Sequence, residues 1–88
     1  MDSYRIQWSS AAGRELRRIA RAVLPRVVEA VDGLELDPRP RGVTKLEDED
    51  NVWRIRVGPY RVIYEVLDEE RLVTVLHIRH RREAYRRL

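Results

Sequence analysis

Within Val52–Val57, VWRIRV, apolar and cationic residues alternate from Trp53 onward. Trp53, Ile55 and Val57 fall on one parity, Arg54 and Arg56 on the other. Side chains of a strand point alternately to its two faces. The spacing therefore predicts a strand with one side turned to a core and two arginines on the opposite side. Gly58-Pro59 marks a tight turn, and two further apolar runs follow, Tyr60–Leu67 and Leu72–His80, joined by Asp68-Glu69-Glu70-Arg71. Strands connected this closely pair antiparallel. In the last of them, alternation groups Val73, Val75, His77, Arg79 and Arg81 on one side and Leu72, Thr74, Leu76, Ile78 and His80 on the other.

The first half of the chain changes period. Tyr4, Ile6 and Trp8 alternate with Arg5 and Gln7, which predicts a short strand. Ser9-Ser10 then offers a hydroxyl to the free amides of a helix start. Leu16, Ile19, Ala20 and Val23 follow at helical spacing. Leu24-Pro25 breaks the pattern, and Pro25 suits the first turn of a second helix. Val27, Val31 and Leu34 line one face of that helix, which is expected to end near Leu36, before Asp37-Pro38-Arg39-Pro40. Val43 to Leu46 is a possible short strand. The order is β-α-α-β-β-β with a short C-terminal helical tail. This is an α+β arrangement, a helical hairpin laid on one face of an antiparallel sheet. No linker or repeat interrupts it, and 88 residues suit a single domain spanning 1–88.

Charge adds a direction to this picture. Residues 1–50 carry 9 basic and 10 acidic side chains, residues 51–88 carry 9 and 5, and all the cations but Lys45 are arginines. A guanidinium is a planar fork that meets phosphate oxygens in pairs. Two arginines on one strand, a third at Arg61 and five within Arg79–Leu88 suggest a cationic surface for a phosphate-rich partner. The same residues read equally well as a solvated sheet face. Glu47–Asp50 is a run of carboxylates without ligand spacing and reads as a solvated loop. There is no cysteine, hence no disulfide, thiolate metal site or thiol nucleophile. His77 and His80 fall on opposite sides of their strand with no third ligand at metal spacing, so no metal or cofactor is expected. His80 adjoins Arg81 and remains a weak catalytic candidate. Tyr85 lies among cations that favour its phenolate, which would suit proton exchange, although packing the tail onto the sheet is the commoner use of such a tyrosine. No apolar run approaches a membrane span, and Asp2 and Arg5 interrupt any signal sequence. A soluble cytoplasmic protein is expected.

WRIRVGPYRVIYEVLDEE followed by VLHIRHRREAYRR resembles the RelE/ParE superfamily of toxins from toxin–antitoxin modules, in its RelE-like branch. The shared pattern is R-x-R-x-G-x-Y-R-x-x-Y followed by H-R-x-x-x-Y. The resemblance covers most of the chain, including the helical hairpin ending in L-x-x-D-P and Lys45-Leu46 before the acidic loop. It implies a RelE-like fold and a ribosome-dependent endonuclease that cuts mRNA in the A site without a metal. It also implies a cognate antitoxin encoded in the same operon. The catalytic positions carried over are Arg54, Arg56, Arg61, Arg81 and Tyr85. RNA and ribosome contacts are expected from Arg54, Arg56, Arg79, Arg82, Arg86 and Lys45. The archetype has lysines where this chain has Arg54 and Arg56. Arginine effectively cannot lose its proton, so these two can stabilise charge but not act as the base. A ParE-like inhibitor of DNA gyrase, sharing the fold without nuclease activity, is the alternative; a plain basic RNA-binding domain is a third.

Overall fold

The computed structural model of the chain describes residues 3–82. Strand β1 (Arg5–Trp8) leads into helices α1 (Ser10–Leu16) and α2 (Leu24–Gly33). The two-residue β2 (Thr44–Lys45) precedes β3 (Val52–Val57), β4 (Tyr60–Leu67) and β5 (Leu72–His80). All join one sheet in the order β1-β5-β4-β3-β2. β2 to β5 pair antiparallel, whereas β1 runs parallel to β5, Arg5 opposite Leu72 and Trp8 opposite Val75. The α+β order is as expected, but the sheet is mixed. A parallel neighbour cannot be joined by a tight turn, and here the chain between β1 and β5 runs through both helices and then β2, β3 and β4.

The helical hairpin is less regular than its apolar spacing predicts. Ser9 Oγ accepts from the Ala12 amide at 3.0 Å and caps α1. The helix nevertheless stops at Leu16, leaving Ile19 buried within the connecting turn and Ala20 exposed. Gly13 lies mid-helix and costs up to about 1 kcal/mol against alanine, so a helix this short has little with which to extend itself. α2 has Pro25 in its first turn and ends at Gly33, three residues before the expected Leu36. Leu34 remains fully buried past its end, while Leu36 is 73% exposed.

Ala12, Ile19, Val27, Val31 and Leu34 pack against Val57, Val62, Tyr64, Val66, Val73, Val75 and Ile78 of the sheet. Burying each of the larger aliphatic side chains contributes about 1.5–3 kcal/mol. The β3–β4 connection is a two-residue hairpin, Val57 opposite Tyr60, with Gly58 at φ +58°. Glycine at the first central position is the usual solution for such a turn.

One irregularity redirects the last strand. Ile63 faces His77 but Tyr64 faces Val75, so Leu76 is an extra residue in β5. A bulge of one residue exchanges the faces beyond it. The expected grouping of Val73 and Val75 with His77 and Arg79 is therefore overturned. Val73 and Val75 share the core with Ile78, and His77 and Arg79 point to the opposite face.

At the far end of the sheet, Arg39 donates to both carboxylate oxygens of Asp68, at 3.2 and 2.6 Å, and Tyr4 Oη donates to the same carboxylate at 2.6 Å. The Arg39 guanidinium lies 5.3 Å from the centre of the Trp53 ring. This clasp ties β1, the α2–β2 connection, β3 and the β4–β5 turn together. Beside it, the fully buried Tyr64 donates to the Pro38 carbonyl at 2.7 Å.

Candidate nucleic-acid interface

Pairing in a sheet brings opposite residues to one face. Arg56 lies opposite Arg61, and Arg61 opposite Arg79, so three central strands carry a row of three arginines. Arg54, Ile63 and His77 form the next row on that face. The face is the one turned away from the helices. The bulge at Leu76 completes it, because regular alternation would have sent Arg79 to the core side. Arg54 and Arg56 are exposed, whereas Arg61 is 5% exposed, a charged group within the sheet. Arg81, exposed, is held next to the hairpin by its amide, which donates to the Pro59 carbonyl at 2.7 Å, and Arg82 follows, also exposed. Tyr85 and Arg86 lie outside the described residues.

The other candidates are placed elsewhere. Lys45 pairs with Trp53 on the outer edge, and its Nζ donates to the Glu49 carbonyl at 3.1 Å, toward the acidic end of the sheet. His80 is opposite Tyr60 on the helix side, with their rings edge to face at 5.4 Å. Among the described residues no group of three or more His, Cys, Asp or Glu is arranged to hold a metal ion.

Two contributors were missed in the sequence. The first is Glu15, on α1. Beyond Trp8, β1 no longer accompanies β5, and the amides of that edge need other partners. Ser9 Oγ donates to the Leu76 carbonyl at 2.8 Å, and Glu15 Oε1 accepts from the Ile78 amide at 2.8 Å. Leaving such a donor unpaired costs about 1–3 kcal/mol. The second oxygen of Glu15 lies 3.5 Å from His77 Nδ1 and 3.6 Å from Arg79 Nη1. A lone Glu amid helix arginines gives no sequence signal of this reach.

The second is the helix connection. Arg17, Arg18 and Arg21 lie along it, flanked by Arg14 at the end of α1 and Arg26 at the start of α2, with Glu15 the one carboxylate among them. Counting charge by halves concealed them, because Glu47–Asp50 cancels them in the sum. This stretch lies at the Gly58 end of the sheet. The Ala20 amide donates to Tyr60 Oη at 3.3 Å, and a side chain at Gly58 would meet Arg26 Nη1 at 3.6 Å. Arg18 lines a groove of about 240 Å³ with Glu15, Tyr60, Arg79 and His80. Arginines from both halves of the chain thus surround one end. Asp68–Glu70 and the Glu47–Asp50 loop occupy the other, where the Val66 amide donates to the Asn51 carbonyl at 2.8 Å.

Comparison with known proteins gives a consistent result. Residues 6–85 match the family described as ParE toxin of type II toxin–antitoxin system, parDE. Toxin RelG of Mycobacterium tuberculosis is 31% identical over 85 residues, covering 96% of this chain and 98% of the relative. Putative toxin RelE1 of Methanocaldococcus jannaschii is 29% identical over 76 residues, covering 83% and 84%. Among solved structures, the archaeal RelE–RelB complex from Pyrococcus horikoshii superposes with a TM-score of 0.81 at 32% identity, over 90% of this chain and 96% of that one. The RelBE2 toxin–antitoxin complex of Mycobacterium tuberculosis gives 0.77 at 29% identity, over 89% and 98%.

Proposed function

We infer that this chain, which belongs to the family of ParE toxins of type II toxin–antitoxin systems, acts as a ribosome-dependent mRNA endonuclease. The observation that carries the reading is the row Arg56–Arg61–Arg79 with Arg54 beside it, on the sheet face left open by the helices. The RelE and RelG names of its relatives favour the same branch.

The reaction is attack of an mRNA 2′-hydroxyl oxygen on the adjacent phosphorus. The P–O5′ bond breaks, leaving a 2′,3′-cyclic phosphate; the 2′ proton leaves to a base and the 5′-oxygen gains one. Negative charge grows on the phosphoryl oxygens in the transition state. Guanidinium groups already fixed on neighbouring strands stabilise that charge without reorganising. Arg54, Arg56 and Arg61 on the strands, with Arg81 just past β5, supply these groups, and Tyr85 exchanges a proton. Arg79, Arg82 and Arg86 hold the RNA backbone. Lys45, set toward the acidic end, contributes least. The face is shallow, so the ribosome has to align the substrate.

Primer extension on programmed ribosomes tests this. The protein should cut within A-site codons and leave naked mRNA intact, and Arg61→Ala should lower the rate by on the order of 10²–10³. Intact mRNA accompanied by gyrase-linked DNA breaks would replace this reading with gyrase inhibition, which the ParE description of the family favours. Binding without either effect would leave an RNA-binding domain. The complexes formed by the RelE relatives further support a cognate antitoxin partner. A small protein encoded beside this gene should co-purify with the chain.

A further inference from the structure

We propose that Glu15 is a positioning residue for the arginine face, setting the direction of Arg79 through its second carboxylate oxygen; this rests on the nuclease reading for its consequence, though not for its geometry. Among the described residues, Glu15 is the carboxylate within ion-pair distance of Arg79. One oxygen is fixed by the Ile78 amide at 2.8 Å, which anchors the side chain to β5 itself. The other lies 3.6 Å from Arg79 Nη1 and 3.5 Å from His77 Nδ1. Arg79 Nη2 lies 3.3 Å from the same His77 nitrogen. Both terminal nitrogens of the guanidinium therefore have a neighbour, Glu15 from the helix side on one and His77 of the same face on the other.

A guanidinium carries five N–H donors in a rigid plane. Holding it along one edge leaves most of those donors for a phosphate and selects one plane for them to lie in. A free arginine side chain would have to give up its rotamer freedom when RNA arrives; one already held gives up less. The Glu15 side chain is 22% exposed and that of Arg79 29% exposed. The pair is thus sheltered enough to persist and open enough to be reached. Its place in the fold follows from the bulge. Leu76 shifts His77 and Arg79 to the open face while leaving the Ile78 amide on the edge that α1 covers. The same helix that closes the sheet edge thereby aims an arginine of the site.

Glu15→Gln separates the two jobs, since an amide oxygen still accepts from Ile78 while the charge facing Arg79 is removed. Cleavage by this variant in programmed ribosomes should need about tenfold more ribosome for half-maximal rate, with the saturating rate within about twofold of the wild type. In an Arg79→Ala background the same change should have no further effect beyond about twofold. A full Glu15→Gln effect in that background would overturn the proposal, as would an unchanged half-saturation point. The second measurement needs no catalysis. In wild-type protein the terminal nitrogens of Arg79 should give separate, slowly exchanging NMR signals that merge in Glu15→Gln. Merged signals in the wild type overturn the proposal even if Glu15→Gln does not fold. Absence of cleavage by the wild type would instead defeat the nuclease reading, with the NMR comparison still deciding the role of Glu15.

Discussion

Asp68 illustrates how one exposed side chain can organise three elements. The hydrogen bonds from Arg39 and then Tyr4 hold its carboxyl below the usual carboxylate range, and the same contact raises the Tyr4 hydroxyl. A depressed carboxyl binds its proton less tightly in the folded state than in the unfolded chain, so its stabilisation is present above the unfolded value and lost as pH falls through the folded one. Asp68→Asn should therefore be less stable than the wild type at neutral pH, and the gap should close as pH drops below about 4. Urea melts across that range would show it; a gap that persists into acid would exonerate Asp68. Tyr64 has the opposite sign. Burial pushes its hydroxyl up to about 12, so its contribution is complete below the unfolded value of about 10 and fades above it. Tyr64→Phe, losing the bond to Pro38, should cost about 0.5–1.5 kcal/mol at neutral pH.

The elements divide their residues sharply between inside and outside. Leu34 is fully buried one residue past the end of α2, and Leu36 is 73% exposed. Leu34→Ala should lose about 2–5 kcal/mol by opening a cavity, whereas Leu36→Ala should stay within about 0.5 kcal/mol. Equal losses in denaturant melts would mean that Leu34 does not close the core past the end of α2. The β3–β4 hairpin offers a second test. Gly58 adopts φ +58°, and an alanine methyl there would lie 3.6 Å from Arg26 Nη1. That spacing is ordinary contact, so Gly58→Ala should cost about 1–2 kcal/mol from the left-handed backbone alone. Thermal melts that show no loss would remove the strain assigned to this turn.

Polarity is the property of the complete fold that bears most on association. Arginines of the helix connection join those of the sheet face and Arg81–Arg82 at one end, while the carboxylates of two loops collect at the other. A polyanion attracts the first end and repels the second, which orients the approach as well as speeding it. On the proposed nuclease reading, ribosome binding should weaken steeply with salt. Arg18→Ala, Arg21→Ala and Arg26→Ala should each lower the slope of log K against log salt by up to about 1 wherever that arginine meets a phosphate. Unchanged slopes would leave the helix connection as a solvated surface.

Local patterning was enough for the order of elements, the apolar parity of β3, the glycine turn and the serine cap, because each depends on neighbours within a few residues. The arginines of the open face were likewise legible as a set. Which of them stand together was not, since that depends on pairing across strands and on one extra residue at Leu76. Nothing local marks Leu76 as a bulge; its apolar side chain fits either face. The parallel placement of β1 beside β5 and the reach of Glu15 to Ile78 and Arg79 join residues some sixty positions apart. Such contacts are set by how the sheet closes and where its edge is left uncovered. The chain wrote the charges into its sequence; the register of the sheet chose which of them stand together on one face.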